Sequence, residues 1–148
     1  MAIKHSLETN VINVTDLLRM QKLSIPVYQR PYKWQEQHMQ QLIEDIFTFK
    51  DKSAYRLGTI VIHNDDGQLN IVDGQQRTIS CILLFKSIIN TIKIQSNELK
   101  REVEILKNNL PNFEFSNPIS LENIKLNYNF SQRAIASYDD EFVRFFLK

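Results

Sequence analysis

Cysteine is nearly absent: Cys81 is the one thiol in 148 residues. It cannot form an internal disulfide, and no set of Cys and His residues has zinc-ligand spacing, so a reducing, cytoplasmic setting is expected. Charge of one sign is lacking too, because 18 Lys and Arg against 17 Asp and Glu leave a formal charge of +1. Such a balance offers no broad cationic surface for gripping a polyanion, so DNA contacts should be local or belong to another chain or region. Long apolar runs are missing as well. The longest apolar-rich stretch, 79–94, is broken by Lys86, Ser87, Asn90 and Lys93, and residues 1–10 are polar, which supports neither a signal peptide nor a membrane span. There is no G-x-x-x-x-G-K-[ST] loop, so a P-loop mechanism is excluded. No internal repeat and no low-complexity segment occurs.

What is present suits a single mixed α/β domain, since 43% of the residues are hydrophobic, enough for one core. Residues 14–20 suit a short helix capped by Asn13 or Thr15. Pro26 and Pro31 bias 23–34 towards a strand or structured loop. From Gln35 onward, Met39, Leu42, Ile43, Ile46 and Phe47 form the stripe of an amphipathic helix. Residues 55–63 and 69–72, joined by Asn64, Asp65, Asp66 and Gly67, suit a β-hairpin. The stretch 78–94 has neither Gly nor Pro and should be a mostly buried helix. Leu99, Val103, Leu106 and Leu110 mark a surface helix over 97–110, with Asn97 as its cap. Asn and Pro residues then break the chain before an expected strand over 119–128. Asp139 and Asp140 precede an aromatic helix with Phe142, Val143, Phe145 and Phe146, whose apolar character suggests packing surface cut from something longer.

The chemistry concentrates in Asp73, Gly74, Gln75, Gln76 and Arg77, where a strand should end, a glycine follows and a helix begins. Backbone N–H groups of a helix N-terminus point at an anion in that arrangement, and glycine permits close approach of a phosphate. Gln75 and Gln76 carry amides suited to base edges, ribose hydroxyls or an attacking water. Arg77 offers a planar fork for phosphate oxygens, and Asp73 suits holding Arg77, a water or a metal-bound water. The alternative is a capping box with Asp73 as N-cap and Gln76 at N3. It leaves Arg77 unexplained, because a cation in the first helical turn opposes the helix dipole by about 0.3–1 kcal/mol unless an anion compensates. A second cluster, Tyr28, Gln29, Arg30, Tyr32, Lys33 and Trp34, combines aromatic and cationic groups suited to base stacking and phosphate binding. Its alternative is that the aromatics cover the core while Arg30 and Lys33 face water.

Three motifs in order, I25-P-x-Y-Q-R-x-Y-x-W34, L57-G-T-I-V-I62 and I71-V-D-G-Q-Q-R77, resemble the N-terminal domain of GmrSD-type, modification-dependent (type IV) restriction enzymes and related phage-defence proteins. The resemblance covers about residues 10–95, with 97–148 as an extension. It implies a ParB/sulfiredoxin-like fold with a small mixed sheet, a β-hairpin and packed helices. It also implies that Asp73, Gln75, Gln76 and Arg77 hydrolyse a nucleoside triphosphate with Mg²⁺, and that Tyr28, Gln29, Arg30, Gly74 and Arg77 bind it. Family members are usually longer, so a DNA-cutting region is expected elsewhere in the protein or in a partner subunit, and no nuclease activity in residues 1–148. His63, Asn64 and Asp65 read as turn residues rather than an HNH remnant, and Glu122 with Asn123 carries too little information to mark a metal site. The rival reading is a non-catalytic nucleotide- or DNA-sensing module that switches a nuclease. Metal ligands, the preferred base and the oligomeric state, a homodimer included, stay open.

Overall fold

The computed structural model describes residues 10–20, 23–25, 31–49, 58–111, 115 and 117–147. In chain order its elements are α1 (Val14–Arg19), β1 (Leu23–Ser24), α2 (Glu36–Thr48), β2 (Val61–Asp65), β3 (Gln68–Asp73), α3 (Gln75–Thr91), α4 (Asn97–Asn108), α5 (Pro118–Ala134) and α6 (Asp140–Leu147). This is the mixed α/β architecture expected. Among the described residues no helix is long and apolar enough to cross a membrane.

The sheet is small and its order is β1-β3-β2, with β1 parallel and β2 antiparallel to β3. Asp66 and Gly67 turn the hairpin with φ of 51° and 89°. Two central residues with positive φ match the right-handed twist of the flanking strands, which is why an Asp-Gly pair is placed there. Leu17 of α1, Leu23 of β1 and Ile71 of β3 bury one sheet face.

Helix α3 is the centre of the domain, with eleven buried residues despite its many β-branched side chains. Burial of the whole helix outweighs the weak intrinsic preference of isoleucine. Met39, Ile43 and Ile46 of α2, Leu84, Phe85 and Ile88 of α3, Val103 and Leu106 of α4, and Val143 and Phe146 of α6 share one core. Phe47 departs from the expected stripe. It is 43% exposed and stacks on Tyr138 instead, ring centroids 5.0 Å apart. The cap of α4 is Ser96 rather than Asn97, its hydroxyl accepting from Leu99 N at 3.3 Å.

Two expectations are corrected. Residues 118–134 form helix α5, not a strand: Asn117 accepts from the amides of Ile119 and Ser120, and Pro118 occupies the first turn. Its buried positions are polar (Ser120, Asn127 and Ser131), whereas Ile119, Leu121 and Leu126 face solvent, so its hydropathy pattern is inverted. The aromatic end is also not surface awaiting a partner. Phe142, Phe145, Phe146 and Leu147 are buried in the main core, and Thr15 Oγ1 donates to the Leu147 carbonyl at 2.7 Å, tying α6 to α1.

Cys81 sits in that core, and burial pushes its thiol up to about 12, against a smaller opposite effect of the Arg77 charge. Since the thiolate is the reactive form, native protein should resist iodoacetamide at about pH 8 and react fully once unfolded. Mass spectrometry of the two samples checks this, and rapid native labelling would contradict the buried placement.

Candidate functional site

Strand β3 delivers Asp73 to its C-terminal end, where it pairs with Val61 of β2 and is exposed. Gly74 then turns the chain at φ 88°, the left-handed region that glycine adopts without steric cost. A carbon added at Gly74 would stand 2.8 Å from the Thr59 carbonyl and 3.1 Å from Ile60 Cα. The residue must be glycine for both reasons, and the turn is therefore packed directly on the segment leading into β2.

The N-cap of α3 is Gly74, so the capping box built on Asp73 and Gln76 does not exist: Gln76 lies at N2 and Arg77 at N3. Among the described residues no side chain caps this helix, and no acidic residue lies in its first turn. Asn13, Ser96 and Asn117, by contrast, each cap their helices with a side-chain oxygen. Arg77, an exposed cation, therefore stands in the first turn of α3. A 17-residue helix carries about half a positive charge at this end, and Arg77 adds a full one.

The two glutamines are engaged in packing. Gln75 is buried, and its Nε2 donates to the Ile71 carbonyl at 2.8 Å, joining the helix start back to β3. Gln76 uses both ends of its amide. Its Oε1 accepts from Lys33 N at 2.8 Å and its Nε2 donates to the Pro31 carbonyl at 3.3 Å. Thus the motif holds the chain immediately after Arg30. Tyr28, Gln29 and Arg30 themselves lie outside the described residues.

The held segment is gripped from the far side by α5. Ser120 Oγ accepts from Tyr32 N at 2.9 Å, and Asn123 Nδ2 donates to the Tyr32 carbonyl at 2.9 Å. Asn127 Nδ2 donates to Tyr32 Oη at 2.8 Å and to the Trp34 carbonyl at 2.7 Å. Tyr32 Oη also pairs with Ser80 Oγ at 2.8 Å, and Ser80 in turn donates to the Gln76 carbonyl at 2.7 Å. Burial pushes the Tyr32 phenol up to about 12, only partly offset by these partners, so it stays a neutral hydrogen-bonding group. Tyr32 is therefore a core-facing aromatic of its cluster, Trp34 packs against the core half-buried, and Lys33 is exposed.

Among the described residues Asp73 and Arg77 are exposed and form no ion pair. No group of three or more His, Cys, Asp or Glu suited to a metal occurs among them either. An open cleft lined by Leu23, Ser24, Asp66, Gly67 and Gln68 lies at the other end of the hairpin, one strand length from Asp73. It brings no motif residue with it.

Reasoning from the sequence missed the α5 residues Ser120, Asn123 and Asn127, although Asn117-Pro118 is a recognisable helix start. It also assigned no task to Gly58, which stands against the Arg77 side chain. Gln76→Ala should lower stability by about 0.5–1.5 kcal/mol, because the amide of Lys33 loses its acceptor at a partly exposed site. Thermal melts check this; an unchanged midpoint would show that water replaces the glutamine without cost.

The family described as GmrSD restriction endonuclease, N-terminal domain, matches residues 14–147. The match takes in α4, α5 and α6, well beyond the 10–95 region that carries the three motifs, so the α5 clamp lies inside the family's domain. No curated protein and no solved structure matches.

Proposed function

Because the chain belongs to the GmrSD restriction endonuclease N-terminal domain family, and so to restriction systems, we propose that it binds and hydrolyses a nucleoside triphosphate at the N-terminus of α3 and thereby regulates or powers a DNA-cutting nuclease. The observation that carries the reading is the start of α3, which no side chain among the described residues caps, with Arg77 in its first turn. Both features cost stability in an isolated domain, and both are relieved by a bound polyanion.

In this reading the amides of Gln75, Gln76 and Arg77 hold phosphate oxygens, and Arg77 stabilises the charge that develops as the terminal phosphorus is attacked by water. The bond from phosphorus to the bridging oxygen breaks, nucleoside diphosphate leaves with the electron pair, and Asp73 accepts the water's proton. Asp73 is the carboxylate of the motif that would hold Mg²⁺ through a water, and the ion would neutralise phosphate charge. Gln76 acts by fixing the chain next to Tyr28, Gln29 and Arg30, the proposed nucleotide-binding wall. The reading is supported by the contact of Gln76 with Pro31 and Lys33, the residues that follow Arg30 in the chain.

One observation favours a second reading, a nucleotide-sensing switch without turnover: the amides of both glutamines bond to neighbouring backbone, which leaves Asp73 and Arg77 as the chemical groups. Phosphate release from ATP, GTP, CTP and UTP with Mg²⁺, measured beside equilibrium binding, separates the two. Turnover lost in Asp73→Asn is the expected result; tight binding without turnover establishes the switch, and absence of both removes the nucleotide site. With a charge of +1 the chain should bind duplex DNA weakly and leave plasmid uncut in the same buffers. Cleavage that vanishes with Asp73→Asn would place the nuclease here instead.

A further inference from the structure

Gly58 lies just before Thr59 and Ile60, the residues on which Gly74 packs. Its own open face is filled by the Arg77 side chain. A carbon added at Gly58 would stand 2.7 Å from Arg77 Cδ, 2.7 Å from Nε and 2.8 Å from Cζ. Carbon atoms at rest stay about 3.5–4.0 Å apart, so no side chain fits while Arg77 keeps this position. The backbone at Gly58 also has φ +143°, a region that L residues rarely adopt.

This close approach is not a demand of the core, since Arg77 is exposed. An exposed arginine on a helix has many rotamers of similar energy, and few of them serve one anion. Packing the stem and Nε against a bare Cα removes many of those rotamers. The same segment packs directly on the α3 turn at Gly74, so the seat and the helix N-terminus are in contact.

We propose that Gly58 is a positioning residue for Arg77: it provides a side-chain-free seat that holds the guanidinium beside the first turn of α3, ready for a phosphate. The seat follows from contact geometry, and its consequence for hydrolysis rests on the function proposed above. Any side chain at 58 drives Arg77 away from the helix start while leaving its charge in the molecule. The loss should fall on kcat, because a displaced cation no longer meets the developing charge.

The test uses the full chain with Gly58→Ala, Arg77→Ala and the double variant. The readouts are phosphate release from the nucleotide that the wild type turns over, and the NMR resonance of the Arg77 Nε–Hε group. Expected for Gly58→Ala are a shifted Nε–Hε resonance and a fall in kcat of about 100-fold, the scale of a misplaced catalytic group. The double variant should be no slower than Arg77→Ala alone. An unmoved resonance, or losses that multiply in the double variant, overturns the proposal. Should Gly58→Ala fail to fold, the double variant decides: folding restored by removing Arg77 confirms the seat, and failure of both shows a backbone requirement unrelated to Arg77. Where the wild type releases no phosphate, the hydrolysis reading fails while the resonance still decides the seat.

Discussion

Replacing Arg77 with alanine should lower phosphate release by about 100- to 1,000-fold, the usual consequence of removing one charge-stabilising donor from a transition state. The same substitution should leave the fold as stable as before or slightly more so. Arg77 is exposed and has no ion-pair partner among the described residues, so little packing is lost beyond its contact with Gly58. It also sits in the first turn of a helix without an N-terminal acidic residue, where removing a cation returns about 0.3–1 kcal/mol of unfavourable dipole interaction. A residue kept only for structure would show the opposite pattern. Phosphate-release rates and thermal midpoints measured on the same preparations give the answer, and a variant that melts early but turns over normally would remove Arg77 from the chemistry.

The largest effect on stability should come from Tyr32→Ala, about 3–5 kcal/mol, as for other truncations of fully buried aromatics. Tyr32 is 1% exposed and packs on Ile79 and Leu83 of α3. Its hydroxyl joins Ser80 of α3 to Asn127 of α5, so truncation also deprives Asn127 of one of its two acceptors. For a domain of this size the midpoint should fall by about 6–20 °C, at about 2–4 °C per kcal/mol. Tyr32→Phe keeps the packing and should cost only about 1 kcal/mol, because Asn127 still donates to Trp34 and Ser80 to Gln76. The loss should reach function through the chain beside it. With Tyr32 unseated, the contacts of Gln76 with Pro31 and Lys33 lose their backing from α5. Denaturation curves for the three proteins check the order; equal stability of Tyr32→Ala and Tyr32→Phe would show that the ring is not the anchor.

Several features of this protein were legible from the sequence because they depend on neighbours close along the chain. The α2 stripe, the Asp66-Gly67 turn, the long buried α3 and the start of a helix directly after Gly74 all follow from local periodicity and backbone preference. The misplaced charge of Arg77 was equally visible. Other features were decided by contacts between distant residues. Helix α5 buries Ser120 and Asn127 because these two side chains meet the polar backbone of residues 32–34, so its hydropathy pointed the wrong way. Gln76 looks like a capping residue or a water-binding one until Lys33 and Pro31, more than forty residues earlier, are found on its amide. Gly58 looks like an ordinary strand-entry glycine until Arg77 is found against it. The aromatic end likewise looked unfinished, and it closes the core through partners on α2 and α1. The physical division is between interactions that repeat along the backbone and hydrogen bonds or close contacts whose partners only folding brings together. The motif's position came from the first kind, and the tasks of its individual side chains from the second.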